Sequence, residues 1–135
     1  MTEQQVSIKD FLRKRETAQR ELKFDGFSSP FIIQEITNDE NEKLQNQATV
    51  VQVKRGQKVR DLNQQKYTES LLVASVVQPD LTTAELQKFY GTLGDPAGTL
   101  KKMLSLSEFN QLATEVSELS GMNDSMDDEV QEVKK

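Results

Sequence analysis

Histidine and cysteine are both absent from this 135-residue chain. Their absence removes Ser–His and Cys–His nucleophile activation and the usual zinc sites. Any catalysis would fall to carboxylates, lysine or tyrosine alone. The acids are numerous but sit on the polar sides of helical patterns, where such residues are ordinarily solvated. Asp124, Asp127, Asp128 and Glu129 crowd together near the C-terminus. They lack the alternating oxygen spacing, central glycine and closing glutamate of a calcium loop, and read as a solvated tail. The run Gly91 to Thr99 (GTLGDPAGT) is glycine-rich ahead of a helix. A phosphate cradle needs a preceding strand and a Gly-Lys-Ser/Thr ending. Here a helical pattern precedes and Gly98-Thr99-Leu100 ends the run, so two helix-ending turns are expected. Two basic clusters could contact phosphates: Arg13-Lys14-Arg15 with Arg20 and Lys23, and Lys54-Arg55 with Lys58 and Arg60. No aromatic residue interleaves them and acids lie close by in sequence. They read as solvated surface, or as a surface for an acidic partner. No catalytic residue, metal ligand or cofactor site is assigned.

The elements around these residues are mostly helical. Ser7 with Asp10 opens a short helix from Ile8 to about Lys14. From Thr17 to Phe24 the pattern alternates, with Ala18, Leu22 and Phe24 on one side and Arg20 interrupting it. Asp25-Gly26 to Pro30 is a turn, and Phe31 to Ile36 is the clearest strand. These two strands predict a β-hairpin at about 17–36, which must lie on helices to be stable. Thr37 and Glu40 form a capping box before an outer helix from about Asn38 to Val53, with a thin stripe of Leu44, Ala48 and Val51. A central helix runs from about Asn63 to Val77. Its run Leu71 to Val77 is apolar on every side, which predicts neighbours all round. Pro79 stops it. Thr82 with Glu85 predicts a cap for a helix from Thr83 to Tyr90, closed by Gly91. Asp95-Pro96 opens a short helix carrying Leu100, Met103 and Leu104.

Ser105 and Glu108 cap the last helix, Leu106 to Ser120, which Gly121 ends. It has the cleanest stripe in the chain: Leu106, Phe109, Leu112, Ala113, Val116 and Leu119. Glu108, Gln111, Glu115 and Glu118 face the other way. The stripe reads as core-facing. As a functional alternative, Leu106, Phe109, Leu112, Val116 and Leu119 are the candidate partner-binding residues, a docking face like that of an amphipathic helix in a groove. The expected fold is therefore mainly α (α+β): one small domain of five or six helices over residues 7–121, with a single N-terminal hairpin packed on it. Residues 1–6 and the acidic stretch 122–135 read as disordered ends.

Composition agrees with a modest domain. Apolar residues make up 35% of the chain, and six glycines leave the total below the roughly 45–50% usual for folded domains. A thin core is expected. The net charge is −5, and residues 124–135 hold five acids against two lysines, so the body is nearly neutral. That argues against nucleic acid as the main partner. Without cysteine there is no disulfide framework, and a cytosolic compartment fits. No apolar run approaches the ~18–20 residues of a membrane span, and no signal peptide is read.

The order of segments resembles a known family. A short N-terminal helix is followed by Pro30-Phe31-Ile32-Ile33-Gln34-Glu35-Ile36-Thr37 and Glu40. Next come Tyr67, Leu71-Leu72 and Ser75-Val76-Val77-Gln78-Pro79-Asp80-Leu81, then Glu85-Leu86-Gln87 and Tyr90-Gly91. The run ends in Met103-Leu104, Glu108-Phe109, Leu112, Val116 and Leu119-Ser120-Gly121. As a set over about residues 7–122, this order resembles the XkdN-like phage tail assembly chaperones of phages and prophages of Gram-positive bacteria. The resemblance implies a non-enzymatic protein of the host bacterial cytoplasm that shields the aggregation-prone tape-measure protein. Such a protein leaves before the virion is finished. The major tail protein and further copies of the chain are secondary partners under this reading. Many members are made in two lengths by ribosomal frameshifting, and the ending Lys134-Lys135 is compatible with that or with an ordinary charged tail. The competing readings are a structural tail or adaptor component and a helical nucleic-acid regulator. The regulator would pair helices 83–90 and 106–120, but the acidic last helix would then face phosphates.

Overall fold

The computed structural model describes residues 6–122. The disordered ends expected at 1–6 and 122–135 lie outside this range, apart from Val6 and Met122. A single 3-10 turn, Ile8–Phe11, leads to strands β1 (Gln19–Leu22) and β2 (Phe31–Gln34). Helix α1 (Asn38–Ala48), strands β3 (Thr49–Lys54) and β4 (Gln57–Leu62), helix α2 (Gln64–Ser75) and strand β5 (Val76–Gln78) follow. Helices α3 (Ala84–Tyr90), α4 (Pro96–Met103) and α5 (Leu106–Leu119) complete the described chain.

The expected architecture is corrected. The strands are not confined to one N-terminal hairpin: among the described residues five strands form two sheets, and the fold is α+β. One sheet has the order β1-β2-β5, with both outer strands antiparallel to β2. The other is the antiparallel pair β3–β4. Three predicted helices ran too far, the first of them, expected from Ile8 to about Lys14, being only the 3-10 turn Ile8–Phe11. The outer helix ends at Ala48, because the β-branched run Thr49-Val50-Val51 and Val53 favours the pleat over the helix. The central helix ends at Ser75, and Val76 to Gln78 peel off to pair with β2. Its apolar run is accordingly not buried all round: Leu71, Leu72 and Val76 are inside, whereas Val77 is exposed.

The main core lies between the three-stranded sheet and helices α2, α4 and α5. Strand β2 alternates as expected, sending Phe31 and Ile33 inward. They share one cluster with Leu22, Leu72, Leu100, Leu112 and Val116. Burying each such side chain fully is worth about 1.5–3 kcal/mol. The polar groups at this seam are satisfied. Arg20, the residue that interrupts the apolar side of β1, reaches Glu115 at 2.6 Å and Glu118 at 3.2 Å on α5. Ser75 Oγ donates to the Gln34 carbonyl at 2.7 Å, and the Ile36 amide donates to Ser120 Oγ at 3.0 Å. Three of the expected capping boxes form, at Ser7/Asp10, Thr37/Glu40 and Ser105/Glu108. The box expected at Thr82/Glu85 does not. Thr83 is the cap residue of α3 and its side chain makes no capping bond. At the far end of α5, Gly121 (φ 77°) lets the Met122 amide reach the Ser117 carbonyl at 2.8 Å, and Met122 packs on the core.

Two measurements test this account. Leu112→Ala should cost about 2–5 kcal/mol and lower the melting temperature by several degrees or more. Leu106→Ala, 78% exposed on the same helix, should stay within about 0.5 kcal/mol of wild type. The second concerns pH. Lys101 Nζ lies 2.6 Å from Glu69, and this hydrogen bond is the main reason the Glu69 carboxyl is held below its ordinary range, against the opposing effect of burial. A carboxylate depressed in the folded state adds stability above its unfolded value and loses it as pH falls through the folded one. Unfolding free energies of wild type and Lys101→Met from urea titrations should therefore differ at neutral pH, by no more than about 1 kcal/mol, and converge in acid.

Candidate functional site

The chain leaves three apolar features uncovered, and each arises from a local sequence signal. The first is a corner. After β5, Pro79 ends the strand, and the Asp80 carboxylate accepts from the Thr82 amide at 3.0 Å and from Thr82 Oγ1 at 2.6 Å. The hydroxyl bond, then the amide bond, hold the Asp80 carboxyl below its usual range. This Asx-type turn stands where the capping box was expected and leads into α3. The outer side of α3 then forms, with Pro79, an open groove of ≈ 480 Å³ walled by Leu86, Phe89 and Tyr90. Asp80 and Glu85 are its charged lining residues. The Phe89 and Tyr90 rings stand edge to face, 4.8 Å apart, and Phe89 is 80% exposed.

Gln87 holds the corner in place. It is buried, its Nε2 donates to the Leu81 carbonyl at 2.8 Å, and its Oε1 accepts from the Gly94 amide at 2.9 Å. One side chain thus ties the turn before α3 to the turn after it. The glycine-rich run is explained by the same construction of turns. Gly91 takes the left-handed conformation that closes α3 (φ 68°). Gly98 sits where a Cβ would meet the Asp95 carboxylate, which caps α4 by accepting from the Gly98 amide at 3.0 Å. An acid occupies the position where a phosphate would bind.

The second feature is the β3–β4 hairpin. Arg55 (φ 53°) and Gly56 (φ 78°) form a two-residue loop with both residues left-handed, the geometry that matches strand twist. The hairpin is rooted where the Asn63 amide donates to the Ala48 carbonyl at 2.8 Å. Beyond that root its side chains are open. The register pairs Thr49 with Leu62, Val51 with Arg60 and Val53 with Lys58, and such partners share a face. One face therefore carries Val51, Val53 and Leu62, all exposed, beside Lys58 and Arg60 and no acid. On the other face Lys54 is 3.5 Å from Asp61. The second basic cluster of the sequence is this hairpin.

The third feature is the N-terminal arm. Ile8, Phe11 and Leu12 are all exposed. The first basic cluster does not form one patch. Arg15 pairs with the buried Glu35 at 3.0 Å and Arg20 with α5, while Arg13, Lys14 and Lys23 stay exposed.

The candidate partner-binding stripe of α5 is divided by the structure. Leu112 and Val116 are fully buried, Phe109 and Leu119 pack partly on the core, and Leu106 is open. The groove and the hairpin escaped sequence reading. For the groove, Leu86, Phe89 and Tyr90 lie at helical spacing, a pattern that does not by itself separate core from open surface. For the hairpin, the available signal was the β-branched run followed by Arg55-Gly56. Among the described residues no group of three or more His, Asp or Glu residues is placed to share a metal, and no helix is long and apolar enough to cross a membrane.

The chain is 28% identical over 107 residues to the phage-like element PBSX protein XkdN of Bacillus subtilis strain 168, covering 78% of this chain and 72% of that protein. It is 27% identical over 106 residues to YqbN of the same strain, covering 77% and 70%. A crystal structure of YqbN shares the fold, with a TM-score of 0.68 at 21% identity over 87% of this chain and 98% of that one. The model of the phage XkdN-like tail assembly chaperone proteins matches residues 6–134, so the chain belongs to that family.

Proposed function

We propose that this protein is a non-enzymatic chaperone that binds and shields the tape-measure protein in the host bacterial cytoplasm while the tail assembles, and is absent from the finished virion. Membership of the tail assembly chaperone family supports the general role. The observation that carries the client-binding step is the β3–β4 hairpin. Val51, Val53 and Leu62 cover none of the protein's own core, and Lys58 and Arg60 flank them. A tape-measure protein is expected to be a long helical rod. A helix presenting an apolar stripe edged by acids complements such a face in both hydrophobicity and charge. The α5 stripe enters through its outer edge: Leu106, with the half-buried Phe109 and Leu119, offers a second contact, while Leu112 and Val116 are closed to a partner. Each contact is small. Many copies on one rod add through effective concentration, so weak individual binding suffices to keep the rod soluble.

Co-expression with a candidate tape-measure protein tests the role. Soluble recovery of the client should depend on this chain, and unchanged recovery without it removes the proposal. Recovery of the chain in purified particles would favour a structural adaptor instead. Replacing Val51 and Val53 with Thr keeps strand propensity and should leave stability within about 0.5 kcal/mol of wild type. Client recovery should fall in the same variant, and full recovery would move the docking surface elsewhere.

A further inference from the structure

The β3–β4 hairpin carries an apolar, basic face that no other described residue covers. Val51, Val53 and Leu62 are exposed on it beside Lys58 and Arg60. Among the described residues neither basic side chain is in an ion pair. The hairpin's one pair, Lys54 with Asp61, lies on the other face. Residues 123–135 have the opposite charge. They hold Asp124, Asp127, Asp128, Glu129 and Glu132 against Lys134 and Lys135. Val130 and Val133 stand among these acids. Three residues apart, they can present one apolar edge. We propose that residues 123–135 lie across the open face of their own hairpin. Val130 and Val133 then meet Leu62, Val51 and Val53, and the acids meet Lys58 and Arg60.

The fold brings the two within reach. The Ile36 amide donates to Ser120 Oγ at 3.0 Å, so the end of α5 lies beside the start of α1. The Met122 amide is bonded back to the Ser117 carbonyl, and the chain leaves the body from there. α1 has 11 residues and spans about 16 Å, at 1.5 Å for each. The hairpin starts where α1 stops, rooted on the Ala48 carbonyl. Its strands have 6 residues each and span about 20 Å. At about 3.3 Å for each residue beyond Met122, Val130 reaches out ~26 Å and Val133 ~36 Å. Val130 can therefore meet Leu62 and Val51 near the root, and Val133 can meet Val53 nearer the tip. Met126, with a reach of ~13 Å, falls short of the root. Charge selects the hairpin over the Pro79 groove, whose charged lining residues, Asp80 and Glu85, are acids. A tether this short gives an effective concentration on the order of millimolar, so a weak contact suffices. The covered valines are kept from other apolar surfaces. One consequence rests on the proposed role of the hairpin in holding the client: the client must displace the acidic segment before it binds.

The test uses the full chain. It has no cysteine, so Gln131→Cys carries a spin label at a single position. Amide NMR signals of the hairpin from Val51 to Leu62 should broaden, and those of α3 should not. Added salt should weaken the effect. Lys58→Glu with Arg60→Glu, both at exposed sites, should abolish it. Adding Asp127→Lys, Asp128→Lys and Glu132→Lys to that variant should restore it. A hairpin that does not broaden, or broadening untouched by the charge reversal, would overturn the proposal. So would broadening in unlabelled copies mixed with labelled ones, since that assigns the contact to a second copy. A segment that covers the face roughly nine-tenths of the time weakens client binding about tenfold. The variant with Asp127→Asn, Asp128→Asn, Glu129→Gln and Glu132→Gln should therefore bind a candidate tape-measure protein about tenfold more tightly than wild type. Broadening in the free chain with client affinity unchanged in this variant would support the docking and remove the hairpin as the client surface, so the two readings fail separately.

Discussion

The packing of α5 against the underside of the β1-β2-β5 sheet is the constraint on which everything else in this protein depends. The chain has few apolar residues to spend, and most of the large buried ones meet in that seam. Phe31 and Ile33 come from β2, Leu72 from α2, and Leu112 and Val116 from α5. Charge and hydrogen bonds fix the register of the same contact: Arg20 with Glu115 and Glu118, Ser75 with the Gln34 carbonyl, and Ser120 with the Ile36 amide. The ion pairs, being partly exposed, are not large stabilisers. They choose one arrangement among those that the apolar surfaces alone would tolerate.

Concentrating the core in one seam leaves the periphery lightly covered. The hairpin, the Pro79 corner and the N-terminal arm hold apolar residues that contribute nothing to the seam. In a protein that acted alone, such surface would be a liability for aggregation. In a member of an assembly chaperone family it is the expected condition, because shielding another chain requires apolar surface that is not already used. The uncovered features differ in chemistry. The hairpin face is basic, the groove is acidic and the arm is basic.

Much of this was legible in the residues. β2 announced itself by alternation, α5 by its stripe and its Ser105/Glu108 cap, and α4 by Asp95-Pro96. The missed elements have physical causes. The stretch from Leu71 to Val77 is apolar apart from Ser75, and periodicity cannot divide such a run into helix and strand. The division at Ser75 is set by the open hydrogen-bonding edge of β2, a long-range partner. The stretch from Asn38 to Val53 contains Leu44, Ala48 and Val51 at helical spacing, which masked the β-branched run beginning at Thr49. Arg55-Gly56 is a weaker turn signal than Asn-Gly, so the hairpin had no strong marker. The α5 stripe was visible as a unit, but which of its members stay open depends on neighbours that lie far away in sequence. Leu106 projects past the end of the seam, and no local pattern encodes that.

The root of the β3–β4 hairpin has a consequence for how such proteins diversify. Its two feet are hydrogen-bonded to each other, Asn63 to Ala48, and α1 and α2 pack together beneath them, with Tyr67 Oη donating to Asn41 Oδ1. The ribbon is therefore a cassette: a short loop could close the same gap, or another ribbon could be grafted there, without rewriting the body below. Evolution can exchange this ribbon while inheriting the chassis below it unchanged.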